Sequence, residues 1–569
     1  MTTRENYEKW LTFDEDTRKE LLAIADDEKE IEDRFYTELA FGTAGLRGVI
    51  GAGTNRMNAY NVRRATCALA KYILREEGQA ERGVVIAYDS RRFSPEFAKQ
   101  AALTLCANGV KAYLFESLRP VPELSFSVRH LHCIAGIVIT ASHNPKQYNG
   151  YKVYWEDGGQ MPPERADIIL SLINQTEYAE AVAMDEQEAI AKGLLHIIGK
   201  EVDDAYISTV KQLSISPDLI KEMGKELKIV YTPLHGSGNL PVRRILSEIG
   251  FENVTVVREQ ELPDPDFPTV KVPNPEDPNA LKIALEYQKK LGADVVFGTD
   301  PDCDRVGIAV LDGEGNVHGL TGNQIGCLLL SYILGSRKAL GTLPANAAAV
   351  KSIVSTELAT AICKDYGCTM VDVLTGFKYI AEKIEQFSVS GEHTFVFGFE
   401  ESCGYLSGTD VRDKDGVNAS MLIAETAAWY KKQGMTLYDG LQSLYKKYGY
   451  YDAKVTSVAL TGKDGLAKMA QLMQNLRQDP PKDFAGVKVI AVRDYQKGER
   501  KTVCGCTEKL EQPASNVLYY ELEGNDWICV RPSGTEPKIK LYVNAVTDSQ
   551  ANTDALLDKL TEAAAGYLK

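Results

Sequence analysis

Short, wholly apolar runs of β type, each closing on a polar loop and followed by a segment of helical periodicity, recur along this chain in three blocks. Runs of this kind predict strands covered by helices on both faces. In the first block, Val84-Val85-Ile86-Ala87-Tyr88 is such a run. A helix should follow it, with Ser94 as N-cap and Pro95 at its first position, ending near Asn108-Gly109. Strands are then expected at 110–115 and 138–142. The second block starts with a strand at 227–231. It passes through a helix near 242–249, a strand at 254–257 and a helix near 280–290, and ends on a strand at 294–298. The third has strands at 347–354, 369–373 and 393–397. This alternation predicts α/β units with mostly parallel sheets, one fold used three times. The tail differs: Trp527-Ile528-Cys529-Val530, Ile539-Lys540-Leu541-Tyr542-Val543 and a long helix from about Ser549 suggest a smaller α+β domain. We therefore expect domains at 1–205, 206–322, 323–446 and 447–569.

At 569 residues the chain is too long for a single core. A net charge of -15 argues against a broad nucleic-acid surface, which needs clustered Lys and Arg, but leaves room for a local basic pocket holding a small phosphorylated ligand. No stretch reaches the 18 or so apolar residues of a membrane span. The nearest, Cys327-Leu328-Leu329-Leu330-Ser331-Tyr332-Ile333-Leu334, reads as a buried helix. The N-terminus, with Arg4, Glu5 and Lys9, lacks the apolar core of a secretory signal. Eleven cysteines, scattered mostly within apolar runs, read as reduced thiols of a cytoplasmic protein. Cys504-Gly-Cys506 is the one close pair; without a second pair or a neighbouring histidine, a zinc site there is disfavoured.

Chemistry concentrates where the runs end. Val138-Ile139-Thr140-Ala141 stops on Ser142, with His143 beside it and Pro145 pushing Asn144 toward extended backbone. Asn149-Gly150 is a strong hairpin signal, and Tyr151-Lys152-Val153-Tyr154 alternates like a returning strand, bringing Lys152 within reach. A serine so placed can be a nucleophile. Asp300-Pro-Asp302-Cys-Asp304-Arg305 sets three carboxylates at alternate positions at a strand's C-terminal end, suited to one hard divalent cation such as Mg²⁺. An EF-hand would need Gly and Glu where Arg305 and Leu311 stand. Arg531-Pro-Ser533-Gly534-Thr535 offers a guanidinium fork, two hydroxyls and an open backbone, which suits a phosphate cradle or an ordinary turn about equally. If the chain stays extended, Glu400 and Ser402 fall on one side, suited to vicinal sugar hydroxyls, although taken alone the stretch reads first as an exposed acidic loop. Gly42-Thr-Ala-Gly45-Leu-Arg47-Gly48 is a glycine-opened loop with one cation, or a simple turn. His235-Gly-Ser-Gly238 lacks the third glycine of a dinucleotide loop and reads as a strand-to-helix connection. Lys351, Lys378 and Arg91 follow or end strands and, taken singly, read as surface charges.

In this order, Thr140-Ala-Ser142-His-Asn-Pro, Asp300-x-Asp-x-Asp-Arg, Gly398-x-Glu-Glu-Ser402 and Arg531-Pro-Ser-Gly-Thr535 resemble the α-D-phosphohexomutase superfamily over nearly the whole chain. The resemblance implies three topologically similar mixed α/β domains plus a smaller C-terminal α+β domain around a central cleft. It implies that Ser142 carries a phosphoryl group, and that Asp300, Asp302 and Asp304 hold Mg²⁺ together with a phosphoserine oxygen. Arg47 and Arg305 would lie near the transferred phosphoryl, with His143 and Lys152 close to the reacting oxygens. Lys378, Glu400 and Ser402 would bind the sugar, and Arg531, Ser533, Gly534 and Thr535 the phosphate that is not reacting. The implied reaction interconverts glucose 1-phosphate and glucose 6-phosphate through glucose 1,6-bisphosphate. The partner would be a sugar phosphate alone, with neither nucleic acid nor membrane, and the enzyme a monomer or homodimer. Gly376-Phe377-Lys378 and Phe399-Glu400-Glu401 are closest in wording to the branch of phosphopentomutases and glucose-1,6-bisphosphate synthases, whereas Ser402 is what glucose-specific members show. Phosphopentomutase, phosphomannomutase and bisphosphate synthase therefore stand as alternatives, beside a catalytically degenerate sugar-phosphate binder.

Overall fold

The apolar run of the first block forms the strand Val84–Tyr88, buried at every residue and flanked in parallel by Ala112–Phe115 and Ala135–Ile139. This computed structural model describes residues 2–42, 45–460, 465–533 and 538–568. Leu195–Ile198 extends the first sheet in parallel at one side, while Tyr148–Trp155, Gly45–Val49 and Phe41–Gly42 extend it antiparallel at the other, giving seven strands. In the second sheet Ile229–Thr232 lies parallel to Val254–Val256 and Val295–Thr299, and Val306–Leu311 and Val317–Leu320 return antiparallel. In the third, Ala347–Ser352 lies parallel to Thr369–Val373 and Thr394–Glu400, with Gly404–Leu406 antiparallel.

The sheets are thus mixed, not mostly parallel as the alternation suggested. The physical reason is local. Each sheet has one strand that delivers a polar loop and turns straight back, and only an antiparallel partner can follow within a few residues. Those three returns are 140–147, 300–305 and 401–403. Each contains a non-glycine residue in the left-handed region: Ser142 at φ 52°, Cys303 at 53° and Cys403 at 60°. One topological position, used three times, therefore carries the strained backbone expected of functional loops.

Two local expectations fail. Asn149-Gly150 lies inside the strand Tyr148–Trp155 and is not its turn. Asn149 is buried, donating to Ser94 Oγ and Arg92 O at 3.0 Å each, and a Cβ on Gly150 would stand 2.5 Å from Thr140 O. The glycine allows close backbone approach. The helix Ser94–Ala107 starts one residue early, because the Ser94 hydroxyl donates to Asp89 Oδ1 at 2.7 Å instead of capping.

The C-terminal domain is an antiparallel sheet built on Tyr450–Ala459, Lys538–Thr547, Trp527–Pro532, Leu518–Leu522 and Val487–Asp494. The helices Gly465–Gln478 and Gln550–Gly566 cover its core. The second and third sheets share one apolar core through the helix Gly416–Lys432, whose Val417, Met421 and Leu422 join Phe297 and Phe397. A smaller cluster of Ile353, Val354 and Leu374 against Tyr519, Trp527 and Tyr542 ties the third sheet to the C-terminal one. The architecture is four mixed α/β domains. The helix Gly322–Ala339 contains the most apolar run and is buried there; no helix among the described residues is long and apolar enough to cross a membrane.

Candidate functional site

Ser142 lies just past the strand Ala135–Ile139 of the first domain, with its hydroxyl turned toward the return of the second. Ser142 Oγ donates to Asp300 Oδ2 at 3.0 Å, and His143 Nδ1 stands 3.1 Å from Ser142 Oγ. The serine's own N–H donates to Thr140 Oγ1 at 2.8 Å, and that hydroxyl reaches Asp89 Oδ2 at 2.7 Å and Asp302 Oδ2 at 3.2 Å. Lys152 Nζ lies 3.1 Å from Asp302 Oδ2. Two returns remote in sequence meet on one set of carboxylates.

Asp300, Asp302 and Asp304 are buried, with ligand oxygens within 4.8 Å of one another. Burial and the charges of Asp302 and Asp304 push the Asp300 carboxyl well above its ordinary range. Burial acts alike on Asp302, but Lys152, the hydrogen bond with Asp300 and Lys414 together outweigh it and hold that group low. Asp304 meets Lys414 Nζ at 3.2 Å, yet Asp302 Oδ1 and Asp304 Oδ1 are buried with no hydrogen-bond partner among the described residues. Buried carboxylate oxygens without a hydrogen-bond partner are costly. Oxygen donors with this arrangement fit a hard divalent cation.

The loop is stiff. Asp300 Oδ1 accepts from the backbone N–H of Asp304 at 3.1 Å and of Arg305 at 3.0 Å. The His235–Gly238 connection, read from the sequence as a simple link, braces it: Ser237 donates to Pro301 O through both N–H (2.8 Å) and hydroxyl (2.9 Å). A Cβ on Gly236 would meet Pro301 Cα at 2.5 Å, so the glycine makes this contact possible. Arg305 pairs with Glu276 Oε1 at 2.5 Å, and its pKa is raised because Glu276 and the Asp304 and Asp300 carboxylates overcome burial. Arg47 stands exposed at the edge of the site with its guanidinium 3.3 Å from Asn144 Oδ1. Burial, then Arg305, push the His143 imidazole down to about 2, so it is neutral.

Two expectations from the sequence are corrected here. Arg91 and Lys351 are no surface charges: both side chains are fully buried. Arg91 donates to the carbonyls of Ser142 (2.5 Å), Pro145 (3.0 Å), Tyr148 (3.1 Å) and Asn144, clamping the serine loop, with Asp89 at 3.3 Å as counter-charge. Lys351 forms ion pairs with Glu357 at 3.0 Å and Asp372 at 2.9 Å under the third sheet. Nor does the chain stay extended past Glu400, where the strand ends and a turn begins. Glu400 Oε1 instead accepts from Gly376 N at 2.7 Å, fixing the loop before Lys378. Lys378 is half-buried, its ammonium 5.0 Å from the Tyr379 ring centre, and burial lowers its pKa. Arg531 is the penultimate residue of the strand Trp527–Pro532, and its charge acts on Tyr379 against the upward push of burial. Ser533 N donates to Lys538 O at 2.7 Å. Gly534 and Thr535 lie outside the described residues.

Sequence reading missed Lys414. It lies in Arg412-Asp413-Lys414-Asp415, four charges before an apolar helix, and such a run bounded by apolar residues was the available signal. Lys414 is buried against Asp304 and Asp413, whose charges raise its pKa despite burial. The third domain thus reaches the triad as well.

Four family models match the chain in order: phosphoglucomutase/phosphomannomutase α/β/α domain I at 38–180, domain II at 204–313, domain III at 321–448 and the C-terminal domain at 460–561. A phosphoglucomutase of Staphylococcus epidermidis (strain ATCC 35984) is 38% identical over 538 residues, covering 94% of this chain and 95% of the relative. One of Staphylococcus aureus (strain MRSA252) is 37% identical over 524 residues, covering 91% and 92%. Among solved structures, the open form of the Paramecium phosphoglucomutase parafusin superposes with a TM-score of 0.70 at 18% identity, covering 93% of this chain and 96% of that one. A putative phosphomannomutase from Thermus thermophilus gives 0.69 at 23%, covering 93% and 99%. At these identities the two structures speak to the fold.

Proposed function

The chain belongs to the phosphoglucomutase/phosphomannomutase family of phosphotransferring isomerases, and from that premise we propose that it interconverts α-D-glucose 1-phosphate and glucose 6-phosphate. The observation that carries the reading is the meeting of the Ser142 hydroxyl with the buried aspartate trio at 3.0 Å. Glucose is preferred as substrate because relatives at 36–38% identity are named phosphoglucomutases.

In this mechanism, phosphorylated Ser142 donates to the free hydroxyl of the sugar monophosphate, giving glucose 1,6-bisphosphate. The sugar reorients, and its other phosphate returns to Ser142. Serine is a weak nucleophile, so the reaction rests on positioning and charge neutralisation. Asp300, Asp302 and Asp304, with an oxygen of the phosphorylated Ser142, would hold Mg²⁺, which when bound neutralises negative charge on the phosphoryl oxygens. Arg47 and Arg305 supply positive charge beside the transferred group. Lys152 and Lys414 pair with Asp302 and Asp304 and hold them in place. Neutral His143 orients the serine hydroxyl through Nδ1. Lys378, Glu400 and Ser402 line up the sugar. Arg531, Ser533, Gly534 and Thr535 grip the idle phosphate, and one grip serving either end of the sugar allows one site to run both half-reactions. Closure of the C-terminal domain would keep water from the phosphoserine.

The test is a side-by-side assay of glucose, mannose and ribose 1-phosphates with a trace of the matching bisphosphate. Glucose 1-phosphate should turn over fastest. Faster turnover of ribose or mannose 1-phosphate, or activity that needs an acyl phosphate donor and no primer, would overturn the assignment.

A further inference from the structure

Outside the site just described, the C-terminal sheet carries an unusual pair of side chains. Nine of the eleven cysteines are buried; Cys504 and Cys506 are exposed, and they stand together. They occupy the turn between the strands Glu499–Thr502 and Thr507–Lys509, paired antiparallel through Lys501 and Thr507. The turn is held by Thr502, whose N–H donates to Cys506 O at 2.9 Å and whose hydroxyl accepts from Cys506 N at 3.2 Å. Gly505, at φ 91°, lets the chain fold back so that both thiols fall on one side. The two sulfurs are 3.9 Å apart, and Thr502 Oγ1 lies 3.0 Å from Cys504 Sγ. Nothing in the phosphoryl-transfer chemistry uses this turn.

We propose that Cys504 and Cys506 form a redox-active dithiol that closes to an intramolecular disulfide by exchange with a small-molecule disulfide. The Cys504 thiolate attacks one sulfur of the oxidant, RSSR, forming a mixed disulfide and expelling RS⁻, which takes up a proton. The Cys506 thiolate then attacks the Cys504 sulfur, expelling the second RSH. The protein loses two electrons and two protons, and RSSR becomes two RSH. The reaction requires an accessible thiolate with a resolving thiol at hand, and this turn supplies both. Cys504 leads because the Thr502 hydroxyl, followed by the Cys506 backbone and thiol, lowers its pKa. Two buried thiols are of the opposite kind: burial pushes Cys106 up to about 11 and Cys133 up to about 12. Exposure also makes such a disulfide easy to reduce again, so the step is reversible.

The experiment uses the reduced full chain with oxidised glutathione as the probe, quenched with N-ethylmaleimide and digested with trypsin. Cleavage after Lys501 and Lys509 yields one peptide, residues 502–509, with both cysteines and no other. It should change from doubly alkylated to unalkylated and two hydrogens lighter, and dithiothreitol should reverse this, while the peptides of the nine buried thiols keep their state. Cys506→Ser should stop with a single glutathione on Cys504. Cys504→Ser should form its mixed disulfide several-fold more slowly. The proposal is overturned if the peptide stays doubly alkylated under conditions that oxidise a synthetic peptide of the same sequence. It is equally overturned if the product carries two glutathiones or bridges two chains, or if the two single variants react at equal rates.

Discussion

Ser142 Oγ lies 3.0 Å from Asp300 Oδ2, although 158 positions separate the two residues. The contact joins the returns of two different sheets, and each return is held from behind. Arg91 clamps the serine loop by its carbonyls, and the His235–Gly238 connection clamps Pro301. A nucleophile that must meet a phosphoryl group in line needs this stiffness, since small displacements cost rate steeply.

Replacing Ser142 by Ala should lower mutase turnover by roughly a thousandfold or more, because no other group takes the phosphoryl. The melting temperature should hardly move, as the loop is fixed by its backbone. Kinetics and a thermal melt on the same preparation check this; substantial residual turnover would sink the nucleophile assignment.

Chelation should abolish turnover and Mg²⁺ should restore it. Mg²⁺ should also raise the melting temperature, because a cation relieves the repulsion that pushes Asp300 up. At a hundred times its dissociation constant the gain is about 2–3 kcal/mol. Asp302→Asn should lose both effects, and a Mg²⁺-dependent melt of that variant equal to wild type would contradict the ligand set.

Arg91→Met should reduce kcat by roughly ten- to a hundredfold with a smaller change in KM, because the serine loop loses its carbonyl clamp while the phosphate grip stands untouched. It should also cost about 3–5 kcal/mol, since Asp89 is left buried without a counter-charge. Steady-state kinetics and urea unfolding separate the two losses. An unchanged kcat would show the clamp to be unimportant, and a variant as stable as wild type would remove the Asp89 pairing from the account.

Arg531→Ala should raise KM for the sugar phosphate roughly tenfold or more, the worth of about one charge-assisted hydrogen bond, and change kcat less. An unchanged KM would remove Arg531 from the phosphate grip.

Burial raises the Asp415 carboxyl from 3.8 to about 6 while it accepts from Tyr206, Val417 and Asn418. The folded state therefore keeps a proton that the unfolded chain releases near pH 4. Its contribution is fully present below that pH and is lost as pH rises through 6. Asp415→Asn keeps an acceptor at this helix N-cap and does not titrate. From pH 4 to pH 7 the variant should gain on wild type by roughly 2–3 kcal/mol. Parallel stability curves would refute the raised pKa.

Chain chemistry alone set the local pieces. Apolar runs such as 84–88 and 369–373 become strands because their residues must be covered on both faces, and the helix after Ser549 starts where its cap stands. The polar residues that close the runs 138–142 and 294–300 were legible for the same reason, as were their chemical types. What those residues face came from long-range packing. Asn149-Gly150 carries the local signature of a turn, yet buried contacts with Ser94 and Thr140 hold it in a strand. Arg91, Lys351 and Lys414 look like ordinary charges along the chain, and become clamps or ion pairs because carbonyls and carboxylates distant in sequence surround them in a dry interior. Local propensity acts over a few residues, whereas the energy of a buried charge is set by every group that packs around it.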